Sequence, residues 1–560
     1  MGTRGLEIVR FNRRYYIRYN QYDSYYEGLG AQIVASIPTD PEEYQTEYAA
    51  IESALEAHVY EIRDGIEPNY SLFSEFEELP SELPRLDSHD AEYIYIINLD
   101  REVLTMNYSI HWKLGNIPRQ DNLWIRAIAN SIYMYKPTIS LDVCPEECMG
   151  SLALELPKPK GVIEFGCRYV TPKTNITDAP KAFLTRVLAK VLVQYKEEII
   201  RFGREWSADS FPFRELAFAL VSIASGQSKF HSIPAQLCNP WTCAAWNCNL
   251  NHIGQSPGLL DKEWAGDSAP LLEFGSSSHR PGEPPGTSPT ETIYWLEDVL
   301  VSLTLVIDDR AIMKAVDWGI KQGRTSFQIV VLSLFEVVFA EVSPEDGGDF
   351  FIKLSEAVNL SPLHANYCVS THPRTRPEVK SGMKARHHRG ELLMKSNCTG
   401  TIRRLRTQFP GLAALVNFFE VAANRRAASK SRGTLPLVIY SRILDFLDYD
   451  TWKTCLFVPT IRSCCLRKYR LDDRVSIVAG PFVRLKQNFH KDRLMSFNFE
   501  SIQTGKILPM VEFPRSFQMQ EYNWMPMIGR DRTAVMLDVA IQFQPAEDMP
   551  VEADSDDEQE

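Results

Sequence analysis

Three cysteines and a histidine stand close together in CNPWTCAAWNCNLNH, at Cys238, Cys243, Cys248 and His252. The C-x4-C-x4-C-x3-H spacing offers three thiolates and an imidazole, the donor set of a tetrahedral zinc site. The last gap resembles that of a CCCH zinc finger. The first gap is short for one, and the stretch holds no Lys or Arg with which to grip a nucleic acid. It reads as a loop with the cysteines packed beside Trp241 and Trp246, so no metal is expected there. Cys144 and Cys148 form a C-x3-C pair without nearby partners and read as structural. A second candidate is Asp23 with Gly28 and Gly30, where a glycine-bearing turn after a strand would let a small ligand approach the backbone. The third glycine of a dinucleotide fingerprint and the Lys-Ser/Thr of a P-loop are both missing. A tight loop that positions a helix is the plainer reading. G-x-S-x-G, H-E-x-x-H and Cys/His nucleophile signatures are absent from the sequence, so no catalytic residue and no cofactor are assigned.

Two charged segments have chemistry of their own. Residues 374–406 hold ten Lys or Arg against two Glu, with His387 and His388 among them. This block can attract nucleic acid weakly and without sequence preference, because no aromatic side chains are interleaved for base stacking. The tail from 546 to 560 carries eight of the twelve net negative charges and no basic residue, which leaves the rest of the chain near neutrality. Its composition predicts disorder. Ser555, followed by Asp556, Asp557 and Glu558, suits an acid-directed kinase.

The elements that would carry these residues read as a multidomain α+β chain. At 560 residues the length exceeds one core, and 44% hydrophobic content supplies several. GLEIVRF and YYIRYNQYD, joined by NRR, form a hairpin, and AEYIYIINLDREVLTMN a second one turning at Leu99–Glu102. A polar helix runs from about Pro41 to Val59, and others cover 122–133, 179–203 and 212–225. In the 179–203 helix, Phe183, Val187, Leu188, Val191, Leu192 and Tyr195 form one apolar stripe. Residues 1–254 are therefore expected to be one α+β domain, followed by a Pro/Gly/Ser-rich linker at 255–290. A helical domain is expected at 291–372, with FQIVVLSLFEVVFAEV (Phe327–Val342) as its buried core helix. A basic segment and helix (373–433), a three-helix unit (434–474), a β-rich region (475–545) and the acidic tail complete the chain. No internal repeat is visible. The eleven scattered cysteines suggest reduced thiols, and the opening MGTRGLEIVRFNRR has no apolar leader. A cytoplasmic or nuclear protein without membrane spans is expected.

The three-helix unit carries the sharpest signal. In LPLVIYSRILDFLDYDTWKTC (435–455), Thr434 can cap a helix with Pro436 in its first turn. Ile439, Ile443, Phe446 and Leu447 then share a face that Leu444 widens. Asp450 can cap a second helix bearing Trp452, Cys455, Leu456 and Val458, which Pro459 ends. A third helix turns Ile461, Cys464, Cys465 and Leu466 inward and Arg467, Lys468 and Arg470 toward water. A unit of about 40 residues can hardly bury its apolar surface alone, so it must lean on the rest of the chain or on a partner.

Leu435, Pro436, Ile439, Ile443, Leu444, Leu447, Asp448, Trp452, Cys455, Val458 and Arg462 together resemble the F-box pattern. Pro459 and Ile461 stand where that family usually has a small residue and an aromatic. F-boxes dock on a Skp-type adaptor of SCF ubiquitin ligases. The resemblance covers about 7% of the chain and implies an adaptor-binding face of Leu435, Pro436, Ile439, Ile443, Leu444 and Leu447. It further implies a non-catalytic, substrate-recruiting role, with the unknown protein substrate held elsewhere, in 1–372. The N-terminus, with Gln21, Asp23, Tyr25, Gly28 and Gly30, is similar to large filamentous-fungal proteins that begin Met-Gly-Thr-Arg. That second resemblance implies no activity. The alternative is a small-molecule enzyme or binding domain around Asp23 and Gly28–Gly30, with the three helices serving as packing between domains.

Overall fold

The computed structural model describes residues 2–63, 91–152, 161–234, 288–363, 402–429, 435–479 and 497–507, with short breaks, and the backbone of three strands between 510 and 540. It is an α+β chain with mixed sheets.

The first sheet has the order β2-β1-β3-β4-β5, from β1 (Gly5–Phe11), β2 (Arg14–Asn20), β3 (Tyr93–Asn98), β4 (Val103–Met106) and β5 (Ile110–Lys113). Asn12 and Arg13 turn the first hairpin, both at positive φ, the geometry that matches the twist of paired strands. The Asp100 carboxylate accepts from both of their amides, at 2.7 and 2.9 Å, and so joins the two hairpin turns. Helices α1 (Ala31–Ser36), α2 (Pro41–Arg63) and α3 (Leu123–Ala129) accompany this sheet. Its outer face, with Tyr16, Tyr95, Leu104, Met106 and Trp112, forms one core with Ile33, Val34, Leu55 and Trp124 of those helices.

Two short strands, β6 (Ile132–Tyr133) and β7 (Lys136–Pro137), pair with each other. Beyond them lie β8 (Gly166–Val170), α4 (Ala179–Gln194), α5 (Phe211–Ser225) and β9 (Lys229–Pro234). The second large sheet is built mainly from β10 (Ile293–Leu296), β11 (Val299–Leu303), β12 (Phe327–Leu332), β13 (Glu336–Pro344) and β14 (Phe350–Ser355). β8 closes one edge of this sheet, and β15 (Val358–Asn359) pairs with β13. The crossover from β11 to its parallel neighbour β12 runs through α6 (Asp309–Lys321), capped by Asp308 accepting from the Ala311 amide at 2.9 Å.

The region expected to be helical is thus mostly strand. FQIVVLSLFEVVFAEV folds as the antiparallel pair β12–β13, turned at Ser333, whose hydroxyl accepts from the Phe335 and Glu336 amides. A continuous apolar run has the same hydrophobic pattern in a buried helix and in a strand covered on both faces. Here the β-branched content and the second reading prevail. The first five strands of the second sheet repeat the direction pattern of the first, an antiparallel pair, a parallel step and two antiparallel steps, although the sequences show no repeat.

Between the sheets lies a helical layer of α4, α5 and α8 (Pro410–Ser429), preceded by α7 (Ile402–Gln408). Leu6, Ile8, Ile94 and Ile96 of the first sheet and Val299, Val301, Val330 and Phe339 of the second enter one core with Leu188, Val191, Leu220 and Leu415 of these helices. α5 is buried along its whole length. Its ion-forming pair is satisfied internally: Arg214 donates to the Asp209 carbonyl at 3.0 Å, and Glu215 accepts from the Ser288 amide at 2.7 Å.

The remaining elements are α9 (Leu437–Asp445), α10 (Tyr449–Cys455), α11 (Pro459–Arg467), the small sheet β16 (Tyr469–Arg470), β17 (Val475–Val478) and β18 (Asn498–Ser501), and strands β19 (Met510–Ser516), β20 (Glu521–Ile528) and β21 (Thr533–Ala540). The sequence division at 254 does not hold as a structural boundary. β8 belongs to the sheet of 293–359, and β9 pairs with β21 from the far end of the chain. Among the described residues no helix is long and apolar enough to cross a membrane.

Candidate functional site

The three helices expected at 434–474 are present, and their capping differs from the sequence reading in three ways. Pro436 occupies the N-cap of α9, and its carbonyl accepts from the Ile439 amide at 2.9 Å. Asp448, not Asp450, caps α10, accepting from the Thr451 amide at 2.8 Å. That bond holds the Asp448 carboxyl below its usual range. Pro459 begins α11 instead of merely ending α10; proline suits a first turn, where an N–H would lack a helical partner anyway.

Inside the unit, Trp452 stacks on Tyr449 with ring centroids 6.3 Å apart and meets Tyr469 edge-on at 5.6 Å. Lys453 is buried with its ammonium 5.6 Å from the Tyr469 ring centre, a cation–π geometry. Arg462 is buried and donates to the Leu456 carbonyl at 2.9 Å. Cys464 and Cys465 are buried as expected, and burial pushes the Cys465 thiol up to about 12, which leaves it protonated and unreactive. These residues are continuous with the central core: Leu444, Tyr449, Trp452, Leu456 and Cys465 join Phe183 of α4 and Phe499 of β18. The unit is therefore no separate domain but one wall of the main body.

Its other wall is bare. α9 has two apolar stripes. Tyr440, Leu444 and Leu447, spaced 4 and 3 residues apart, face the core. Leu435, Ile439, Ile443 and Phe446, spaced 4, 4 and 3, face solvent, joined by Leu437 and Val438. Exposure reaches 70% at Val438 and 88% at Phe446, against 5% at Leu444. Seven of the twelve exposed large hydrophobic side chains among the described residues lie between Leu435 and Val458. Scattered exposed apolar residues are ordinary; a contiguous set marks a contact surface. Of the six adaptor-facing positions, the structure presents Leu435, Pro436, Ile439 and Ile443 outward. It turns Leu444 into the core and half-buries Leu447. Sequence reasoning merged two stripes because a helix this rich in apolar residues satisfies the 3–4 spacing on both sides. It left out Leu437 and Val438, whose exposure only the packing direction of α9 reveals.

Arg470, read as solvated, is 4% exposed. Its guanidinium donates to the carbonyls of Leu447 (2.6 Å) and Leu444 (2.7 Å), at the C-terminal end of α9. Three residues on, Asp473 accepts from the Tyr449 amide at 2.8 Å.

The glycine-bearing loop near Asp23 is closed on itself. Asp23 takes positive φ, and its carbonyl accepts from the Leu29 amide at 2.8 Å. The Tyr25 carbonyl accepts from Gly28 and Gly30. A Cβ on Gly28 would strike the Asp23 carbonyl oxygen, and one on Gly30 would lie 3.0 Å from the Tyr95 hydroxyl. Close packing of the chain on itself accounts for both glycines. Cys144 and Cys148 are buried together, and burial raises both thiols, Cys144 to about 12. Among the described residues no cluster of three or more His, Cys, Asp or Glu is placed to hold a metal. The Cys238–His252 set, most of the basic block and Ser555 lie outside the described residues.

Sequence reasoning missed one buried polar cluster. Arg10 pairs with Asp100 at 3.1 Å and Glu205 at 3.0 Å. The Glu205 carboxylate also accepts from the Asn98 amide at 3.1 Å and from the Tyr15 hydroxyl at 3.4 Å. Burial raises the Glu205 carboxyl, with Arg10 pulling the other way. This cluster ties the first sheet to the segment before α5, with Arg10, Asn98, Tyr15 and Glu205 buried and Asp100 at its outer edge. Glu205 lies 190 positions from Tyr15 and 107 from Asn98, so no local spacing betrays the cluster.

No family model, no curated protein and no solved structure matches the chain.

Proposed function

We propose that the outward stripe of α9 is a docking surface for a Skp-type adaptor, and that the chain is a non-catalytic, substrate-recruiting subunit of an SCF-type ubiquitin ligase acting in the cytoplasm or nucleus. The observation that supports this reading is the two-faced α9: one apolar stripe completes the core, and a second, with Leu435, Ile439, Ile443 and Phe446, is left in water. A helix serving only as packing between domains would have its apolar positions covered. The F-box resemblance of 435–462 supplies the partner class. The continuity of the unit with the central core suits a recruiting subunit, since a substrate held elsewhere on the body would keep a fixed orientation toward the ligase.

The test mixes the purified chain with a purified Skp-type adaptor and measures the mass of the eluting species. A one-to-one complex is expected. Separate elution at concentrations of tens of micromolar would remove the ligase reading.

A further inference from the structure

We infer that Arg470 and Asp473 are positioning residues that hold the corner between α9 and α10 in the shape that presents Phe446 and the outward stripe to a partner. The inference rests on the docking reading for what the corner is for, and on geometry alone for how the corner is held.

Residues 446–448 join two short helices. Phe446 is almost wholly exposed, so its own packing contributes little to fixing the turn. The last carbonyls of a helix have no partners within it, and they attract cations because of the helix dipole. Arg470 answers both needs on the α9 side, with two short charge-assisted bonds to Leu444 and Leu447 from a buried position. On the α10 side the first amides lack helical partners. Asp448 takes that of Thr451, and Asp473 takes that of Tyr449. Arg470 ends β16, and Asp473 lies in the turn that joins it to β17. The turn is itself braced, since Asp472 accepts from the Arg474 and Val475 amides at 2.8 and 2.7 Å. The end of β16 and the turn after it therefore grip both sides of a three-residue corner, and the placement of the docking stripe is set from the β16–β17 hairpin. Arg462 provides a matched contrast: it is also buried and also bonded to a carbonyl, that of Leu456, but at the other end of α10.

The experiment compares the full chain with Arg470→Met, Arg470→Lys, Asp473→Ala and Arg462→Met. Three readouts are taken: amide exchange at 446–449, affinity for a purified Skp-type adaptor, and melting temperature. Arg470→Met is expected to accelerate exchange at the corner at least tenfold and to weaken adaptor binding at least tenfold at a temperature where the variant is folded. Arg470→Lys should recover part of both effects, and it serves in place of the methionine variant if that does not fold. Asp473→Ala should act in the same direction to a smaller degree. Arg462→Met should lower the melting temperature while leaving corner exchange unchanged. Unchanged corner exchange in both Arg470 variants would overturn the inference, as would an equal loss of adaptor affinity in Arg462→Met at matched loss of stability. If the wild-type chain binds no adaptor, the docking reading fails separately, and presentation to that partner falls with it. The exchange data then still decide whether Arg470 and Asp473 hold the corner.

Discussion

Replacing Ile443 with Asp separates a docking helix from a packing helix, and the magnitude can be worked out. Ile443 is 45% exposed, whereas its neighbour Leu444 is 5% exposed and inside the core. Full burial of an isoleucine is worth about 1.5–3 kcal/mol. With nearly half of that surface still in water, roughly 1 kcal/mol remains to be gained on docking. A carboxylate at the same position forfeits this gain and adds a desolvation penalty of about 2 kcal/mol or more. The sum of about 3 kcal/mol corresponds to a loss of roughly 100-fold in affinity. In the isolated chain the new carboxylate stays hydrated, so stability should move by less than about 1 kcal/mol. Leu444→Ala should do the reverse, costing about 2–5 kcal/mol of stability through the cavity it leaves, with the outward stripe untouched in composition. The assay is a binding titration with the adaptor beside denaturant unfolding of each variant. If Ile443→Asp destabilises the fold as much as Leu444→Ala does, or leaves binding intact, the two-stripe account of α9 is wrong.

Three further expectations follow from other parts of the molecule. Arg10→Met strands Glu205 and Asp100 without their guanidinium and should cost about 3–5 kcal/mol, largely recovered when Glu205→Leu is added, which a double-mutant cycle in denaturant can measure. Because burial raises the Glu205 carboxyl in the folded state, the folded chain binds its proton more tightly than the unfolded chain; the stability gained is full below the ordinary carboxylate range and is lost as pH rises through the elevated value. The cost of Glu205→Gln should therefore shrink between pH 4.5 and 7.5 in paired unfolding curves, and a cost that grows over that interval would contradict the raised carboxyl. Gly28→Ala should cost about 1–3 kcal/mol by driving a methyl into the Asp23 carbonyl, and a neutral result in thermal unfolding would mean that the loop has room the geometry denies.

Local rules carried the sequence reading wherever a single element decides the answer. The Asn12–Arg13 turn, the 99–102 turn, the Phe183–Leu192 stripe and the three helices of 437–467 all follow from short-range spacing and turn chemistry. The reading failed where a distant partner decides. Phe327–Val342 is strand because β11 and β14 lie beside β12 and β13, and nothing within the sixteen residues says so. β8 and β9 left their expected domain for the same reason, being recruited by strands more than a hundred residues away. At the candidate site the apolar content of α9 was legible, but the division into an inner and an outer stripe depended on which side met the core. Arg470 was misread because charge at the end of a helix ordinarily points to water, and only the carbonyls of Leu444 and Leu447 give it a reason to turn inward.

The central claim, that the stripe from Leu435 to Phe446 is a partner surface, is tested most directly by hydroxyl-radical footprinting of the full chain with and without a Skp-type adaptor. Oxidation at Val438, Ile443 and Phe446 should be rapid in the free chain, because these side chains stand in water, and should fall severalfold in the complex, while Tyr22 and Tyr169, exposed elsewhere on the body, react unchanged. A complex that forms with the stripe still fully reactive, or a stripe unreactive already in the free chain, would contradict the account.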